Sequence, residues 1–177
     1  MPIERRKKLG NRGFTLIELA VTVAIASILA TIAIGGYLSW KPGYVFRGAV
    51  SQVRGDLERA KMRALETRKQ CRVVFNTNGY QILDGNRVMN SNDWGNVDAN
   101  GVHTPGTPFR VTNFDDYPQI TLTNGGAAIV AGTATEPIIT FSPRGTAGAD
   151  SVQVVHPNAG VAGIAVNITG RINITWP

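Results

Sequence analysis

The chain has 177 residues, of which 18 are basic and 12 acidic, with two histidines and a single cysteine. One cysteine excludes an intramolecular disulfide, so Cys71 reads as a buried free thiol and the domain around it as one held without covalent staples. Residues 1–13 hold five of the basic side chains and one acidic one, leaving 13 basic against 11 acidic in residues 14–177, so the high pI belongs to the N-terminus and is poor evidence for a nucleic-acid partner.

The basic cluster is Arg5, Arg6, Lys7, Lys8 and Arg12, and after Glu18 no formal charge appears until Lys41. The intervening 22 uncharged residues, 19–40, suffice to cross a bilayer as a helix, for which about 20 apolar residues are needed. The basic flank predicts a cytoplasmic N-terminus and an outward-facing remainder. A signal peptide is the rival reading, but its apolar region is usually about 7–15 residues and ends at a small-residue cleavage site. Gly35-Gly36 is a weak point in the helix, costing about 1 kcal/mol per glycine relative to alanine, and suits close helix packing. Lys41-Pro42-Gly43 marks the exit from the membrane, where proline either kinks the helix or starts a new one.

From Tyr44 the pattern becomes amphipathic. Phe46, Val50, Val53, Leu57, Ala60 and Ala64 recur at spacings of four and three, predicting a helix over about residues 44–69 with one apolar face. Arg47, Arg54, Asp56, Glu58, Arg59, Arg63 and Glu66 fall mostly elsewhere and read as a solvated outer surface. Beyond Gln70 the texture is β: runs at 72–76 and 80–83, an Asp84-Gly85 hairpin turn into 87–89, then a long surface loop over 90–108 rich in Asn, Asp, Gly and Pro. Strand-like runs resume at 109–114, 120–123, 138–141, 152–155, 164–168 and 172–175. One long helix followed by many short strands indicates an α+β fold.

The start of the helix carries a specific signature. Gly13-Phe14-Thr15-Leu16-Ile17-Glu18, a basic leader before it and an immediate uncharged helix after it, together resemble the cleavage site of type IV prepilins and pseudopilins. The resemblance implies a leader of residues 1–13 removed after Gly13 by a prepilin peptidase, methylation of the new N-terminus at Phe14, and a transmembrane and assembly helix over 14–40. It also implies a periplasmic pilin-like domain over 41–177 in which the helix packs on an antiparallel β domain. Glu18 fits this physically, since a carboxylate in an apolar helix is costly unless it is functional or paired. In the family it is taken to meet the N-terminal amine of a neighbouring subunit, which offsets both buried charges.

Ile138-Ile139-Thr140-Phe141-Ser142-Pro143-Arg144-Gly145 and the late Gly170-Arg171-Ile172-Asn173 resemble the FimT/GspH group of minor pilins and H-type pseudopilins. The resemblance implies an inner-membrane, single-pass subunit that primes or caps a type IV pilus or a type II secretion pseudopilus. Its expected partners are other pilins or pseudopilins, the peptidase and an inner-membrane assembly platform. Some FimT-branch members bind DNA through a terminal Gly-Arg-x-Arg. Here Asn173 replaces the second arginine, so Arg171, with Arg144 as a possible neighbour, offers only a weak and salt-sensitive phosphate contact.

Two other site readings stand. Asn96, Asp98 and Asn100, followed by Gly101, resemble the first half of a calcium loop, but Thr107 occupies the position of its closing glutamate, so calcium is a minor reading and no cofactor is expected. No His-Glu-x-x-His, Gly-x-Ser-x-Gly or phosphate-cradling motif is present, and His103 and His156 read as exposed turn residues, so no enzymatic activity is expected.

Overall fold

A computed structural model describes residues 14–177. The chain divides into a unit ending at Trp40 and a second unit, Lys41–Pro177.

Helix α1 spans Leu16–Thr67 and contains Pro42 without a break in its assignment, so the proline neither ends it nor starts another. Thr15 caps its start: the Thr15 hydroxyl oxygen accepts from the Glu18 N–H at 3.3 Å, the arrangement expected of a Thr-x-x-Glu sequence. Arg68, with φ of 53°, takes the left-handed conformation that ends many helices.

Within Lys41–Pro177, two antiparallel sheets cover the apolar stripe of α1. The first contains β1 (Cys71–Asn76), β2 (Gly79–Gly85), β3 (Trp94–Val97), β4 (His103–Pro105), β5 (Arg110–Asn113) and β8 (Ile138–Phe141). Its order is β4-β3-β2-β1-β8, with β5 also paired to β2. The second contains β6 (Thr121–Asn124), β7 (Ala127–Ala128), β9 (Asp150–His156), β10 (Gly160–Val166) and β11 (Ile172–Thr175), in the order β11-β10-β9-β6-β7. Alternation along β1 turns Cys71, Val73 and Phe75 inward, and along β10 it turns Ala162, Ile164 and Val166 inward. These meet Val50, Val53, Leu57 and Ala60 of the helix in one core.

Several local expectations are corrected. Asp84 and Gly85 lie inside β2, and the hairpin between β1 and β2 turns at Thr77 and Asn78, where the Asn76 side chain accepts from the Asn78 N–H at 3.0 Å. Residues 87–89 form no strand. Arg87 instead meets Gln70 through the main chain, while Ser91 accepts from the Asn86 N–H at 2.7 Å, folding the segment back beside Gly85. The expected loop over 90–108 holds β3 and β4, which are too short and too polar to show a period of two. His156 is 3% exposed because it continues the inward register of Val152 and Val154 on β9. His103 is half-buried in β4, its Nε2 lying 3.2 Å from the Asp84 carbonyl oxygen.

Candidate functional site

The processing and assembly residues lie at the start of α1. Phe14 and Glu18 are exposed, as is every residue from 14 to 41, while Gly13 lies outside the described residues. The helix is long and apolar enough to cross a membrane within this stretch. Among the described residues its apolar surface is uncovered, and Glu18 is the acidic side chain of its first turn.

The outer half of α1 carries two arginine–carboxylate clusters that sequence periodicity did not distinguish from solvated charge. Asp56, 1% exposed, accepts from the Tyr80 hydroxyl at 2.8 Å and from the Thr112 hydroxyl at 3.3 Å. Its carboxylate also lies 2.7 Å from Arg59 and 3.3 Å from Arg110. Burial, followed by the hydrogen bond to Asp56, pushes the Tyr80 phenol well above its ordinary range. Asp84 is fully buried and takes three bonds from Arg63 and one from the Val97 N–H at 3.0 Å. Arg63 further donates to the Val97 carbonyl and stacks over Phe109 at 4.3 Å, so it ties helix to sheet and is not a free surface cation. Cys71 is buried beside Asp84, and desolvation above all pushes its thiol upward, leaving it an inert core group. A clue to the buried Asp56 was available: it lies three residues after Val53 and four before Ala60, on the edge of the apolar stripe.

The two family turns near the C-terminus pack directly against each other. A Cβ on Gly170 would fall 2.0 Å from the Gly145 carbonyl oxygen, and both glycines have positive φ, of 71° and 81°. Only glycine fits such an approach. The adjacent arginines nevertheless face different surroundings. Arg144 lines a small apolar cleft with Val88, Met89 and Pro143. Arg171 lines a groove of about 790 Å³ between α1 and β11, together with Arg54, Glu58, Lys61, Asn173 and Trp176. Arg54 pairs with Glu58 at 3.0 Å, and Lys61 donates to the Gly170 carbonyl at 3.1 Å. Among the described residues no carboxylate pairs with Arg171.

The calcium-like residues form a tight turn. Asp98 Oδ1 accepts from the N–H groups of Asn100 and Val102, at 2.9 and 2.8 Å. Asn96 lies in β3 with its Oδ1 buried and unpartnered, and Asn100 is exposed. Among the described residues no group of three or more His, Cys, Asp or Glu is placed to hold a metal.

Two sequence profiles match the chain. One, described as the prokaryotic N-terminal methylation motif, covers residues 8–34, and the other, described as type II transport protein GspH, covers residues 49–170. The chain belongs to the GspH family. No curated protein sequence matches it significantly. It is similar in structure to the type IV minor pilin FimU of Pseudomonas aeruginosa strain PAO1 in two crystal forms. One has a TM-score of 0.49 at 16% identity, covering 73% of this chain and 87% of that one; the other has 0.46 at 15%, covering 73% and 91%. As a GspH-family protein with the methylation motif, the chain is a pilin-like subunit, a minor pilin or pseudopilin, with the α+β pilin architecture. Such subunits assemble with other pilins and are anchored by the N-terminal apolar helix.

Proposed function

We propose that this GspH-family chain is cut after Gly13 by a prepilin peptidase, methylated at Phe14, and held in the inner membrane by residues 14–40. Its N-terminus faces the cytoplasm and residues 41–177 fold in the periplasm until an assembly platform draws the subunit into a type IV pilus or type II secretion pseudopilus, at its priming or tip position. The role is structural, without catalysis or a resident cofactor. The observation that carries this reading is the exposed, uncharged surface of residues 19–40 with Glu18 at its edge. Such a surface is stable in lipid or against other helices of its kind, and not in water.

Glu18 is the residue that favours a filament over a simple anchor. In hydrocarbon its carboxylate needs a cation, and the N-terminal amine released by cleavage on an adjacent subunit supplies one. Co-expression with a prepilin peptidase tests the reading: mass spectrometry should find a mature chain starting at methylated Phe14, and substitution of Gly13 should block the cut. An intact leader, or cleavage near residues 30–40, would overturn it. A DNA-uptake role gains no separate support, because Arg144 and Arg171 line different surfaces and Asn173 adds no charge.

A further inference from the structure

Strand β11 leaves one edge of its sheet open. It closes the order β11-β10-β9-β6-β7, and among the described residues it pairs only with β10. The Asn167 N–H donates to the Arg171 carbonyl, which marks residues 167 and 171 as a hydrogen-bonded pair. Antiparallel ladders alternate bonded and non-bonded pairs. Asn173 and Thr175 therefore direct their main-chain groups to β10, while Ile172 and Ile174 direct theirs to the free side. Both isoleucines also line the groove facing α1. Their side chains pack on the core, which holds the strand in place, and among the described residues no strand pairs with its outer amides and carbonyls.

The groove opposite that edge is the right shape and charge for a polypeptide strand. Ser51, Arg54, Glu58 and Lys61 form its helical wall. These follow i, i+3, i+7 and i+10 along the helix, a rise of roughly 15 Å that matches four strand residues at about 3.3 Å each. Its charged groups are Arg54, Lys61 and Arg171 against the single Glu58, and Glu58 is already engaged by Arg54. Trp176 closes one end, half-exposed, with its ring edge-on to Phe46 at 6.2 Å.

We propose that this open edge accepts an extended, acidic segment of a partner subunit as an added strand. Main-chain groups of Ile172 and Ile174 pair with the incoming backbone, and Arg171 and Lys61 receive its carboxylates. Backbone pairing gives such contacts their affinity and alternate side chains their specificity. That the strand comes from a neighbouring subunit rests on the filament reading above; the open basic edge does not.

The test uses the full-length chain in detergent and a short acetylated, amidated peptide of alternating glutamate and valine. Binding should slow hydrogen exchange at the Ile172 and Ile174 amides and leave Asn173 and Thr175, already bonded to β10, unchanged. Ile174→Pro removes one outward N–H and should abolish binding. Because that variant also loses core packing, Arg171→Glu, at an exposed position, provides the second arm and should weaken binding about tenfold or more. Three results would overturn the proposal: no slowing at Ile172 and Ile174, equal binding of a lysine–valine peptide, or displacement of the acidic peptide by a duplex oligonucleotide that binds more tightly. A chain that is processed and assembled normally yet ignores the peptide sinks this inference alone and leaves the filament reading intact.

Discussion

The two stretches of α1 share one secondary structure and have opposite fates. Ile28 and Ile32 are 63% and 70% exposed, whereas Val50, Val53 and Leu57 are at most 1% exposed. Apolarity alone does not separate them; angular distribution does. Residues 19–40 are apolar on all sides, so a single sheet cannot cover them, and they call for lipid or a bundle of equals. Residues 46–64 gather most of their apolar groups on one stripe, which two sheets cover, at about 1.5–3 kcal/mol for each large side chain buried. One helix thus carries an intermolecular surface first and an intramolecular one afterwards.

The sharpest way to break this contrast is Glu18→Ala. Incorporation into filaments should fall by an order of magnitude or more, while thermal unfolding of the β-containing unit stays unchanged. Equal incorporation of variant and wild type in a co-assembly assay would remove Glu18 from assembly.

The converse variant lies at Asp56. Asp56→Ala leaves Tyr80 and Thr112 without an acceptor and Arg110 and Arg59 without their carboxylate. Leaving two buried hydroxyls without an acceptor costs about 1–3 kcal/mol each, while Arg59 and Arg110 are exposed enough to turn to water. Urea unfolding should show that loss, and a value near zero would mean that the network only replaces equivalent hydration.

Leu57→Ala and Leu29→Ala compare the two stretches directly. Leu57→Ala should destabilise the folded unit by about 2–5 kcal/mol through a cavity, and Leu29→Ala, at an exposed position, by nothing measurable in the same unfolding experiment. Similar losses from both would erase the difference between the two stretches.

The smallest expected effect is alkaline. Tyr80 and Cys71 both have folded-state pKa values raised above their ordinary ones, so the neutral forms stabilise the fold. That contribution is complete below the unfolded pKa values and is lost as pH climbs past them, which places the onset above about pH 9. Stability should be flat with respect to these groups near neutrality and decline beyond that point, and Tyr80→Phe should shift the decline. An unchanged alkaline profile in Tyr80→Phe would clear the phenol of any part in it.

The family-bearing features were legible because they are local. A cleavage motif, an uncharged run and an amphipathic stripe are statements about spacing along one chain, and the strands at Ile138–Phe141 and Ile172–Thr175 showed plainly for the same reason. Features that depend on what lies opposite were not legible. Asp56 and Arg63 have the composition of a solvated helix face, and only the arrival of Tyr80, Thr112 and Asp84 from the sheet makes them interior.

The sequence by itself thus determined the order of the chain, an apolar helix running into an amphipathic one and then short strands, because hydrophobic periodicity is set residue by residue. Tertiary structure alone decided the rest. It pressed Gly145 against Gly170, parted Arg144 from Arg171, and opened the outer edge of β11 beside Lys61. Each of these depends on distances between residues far apart in the chain, and spacing along a single strand or helix carries no information about them.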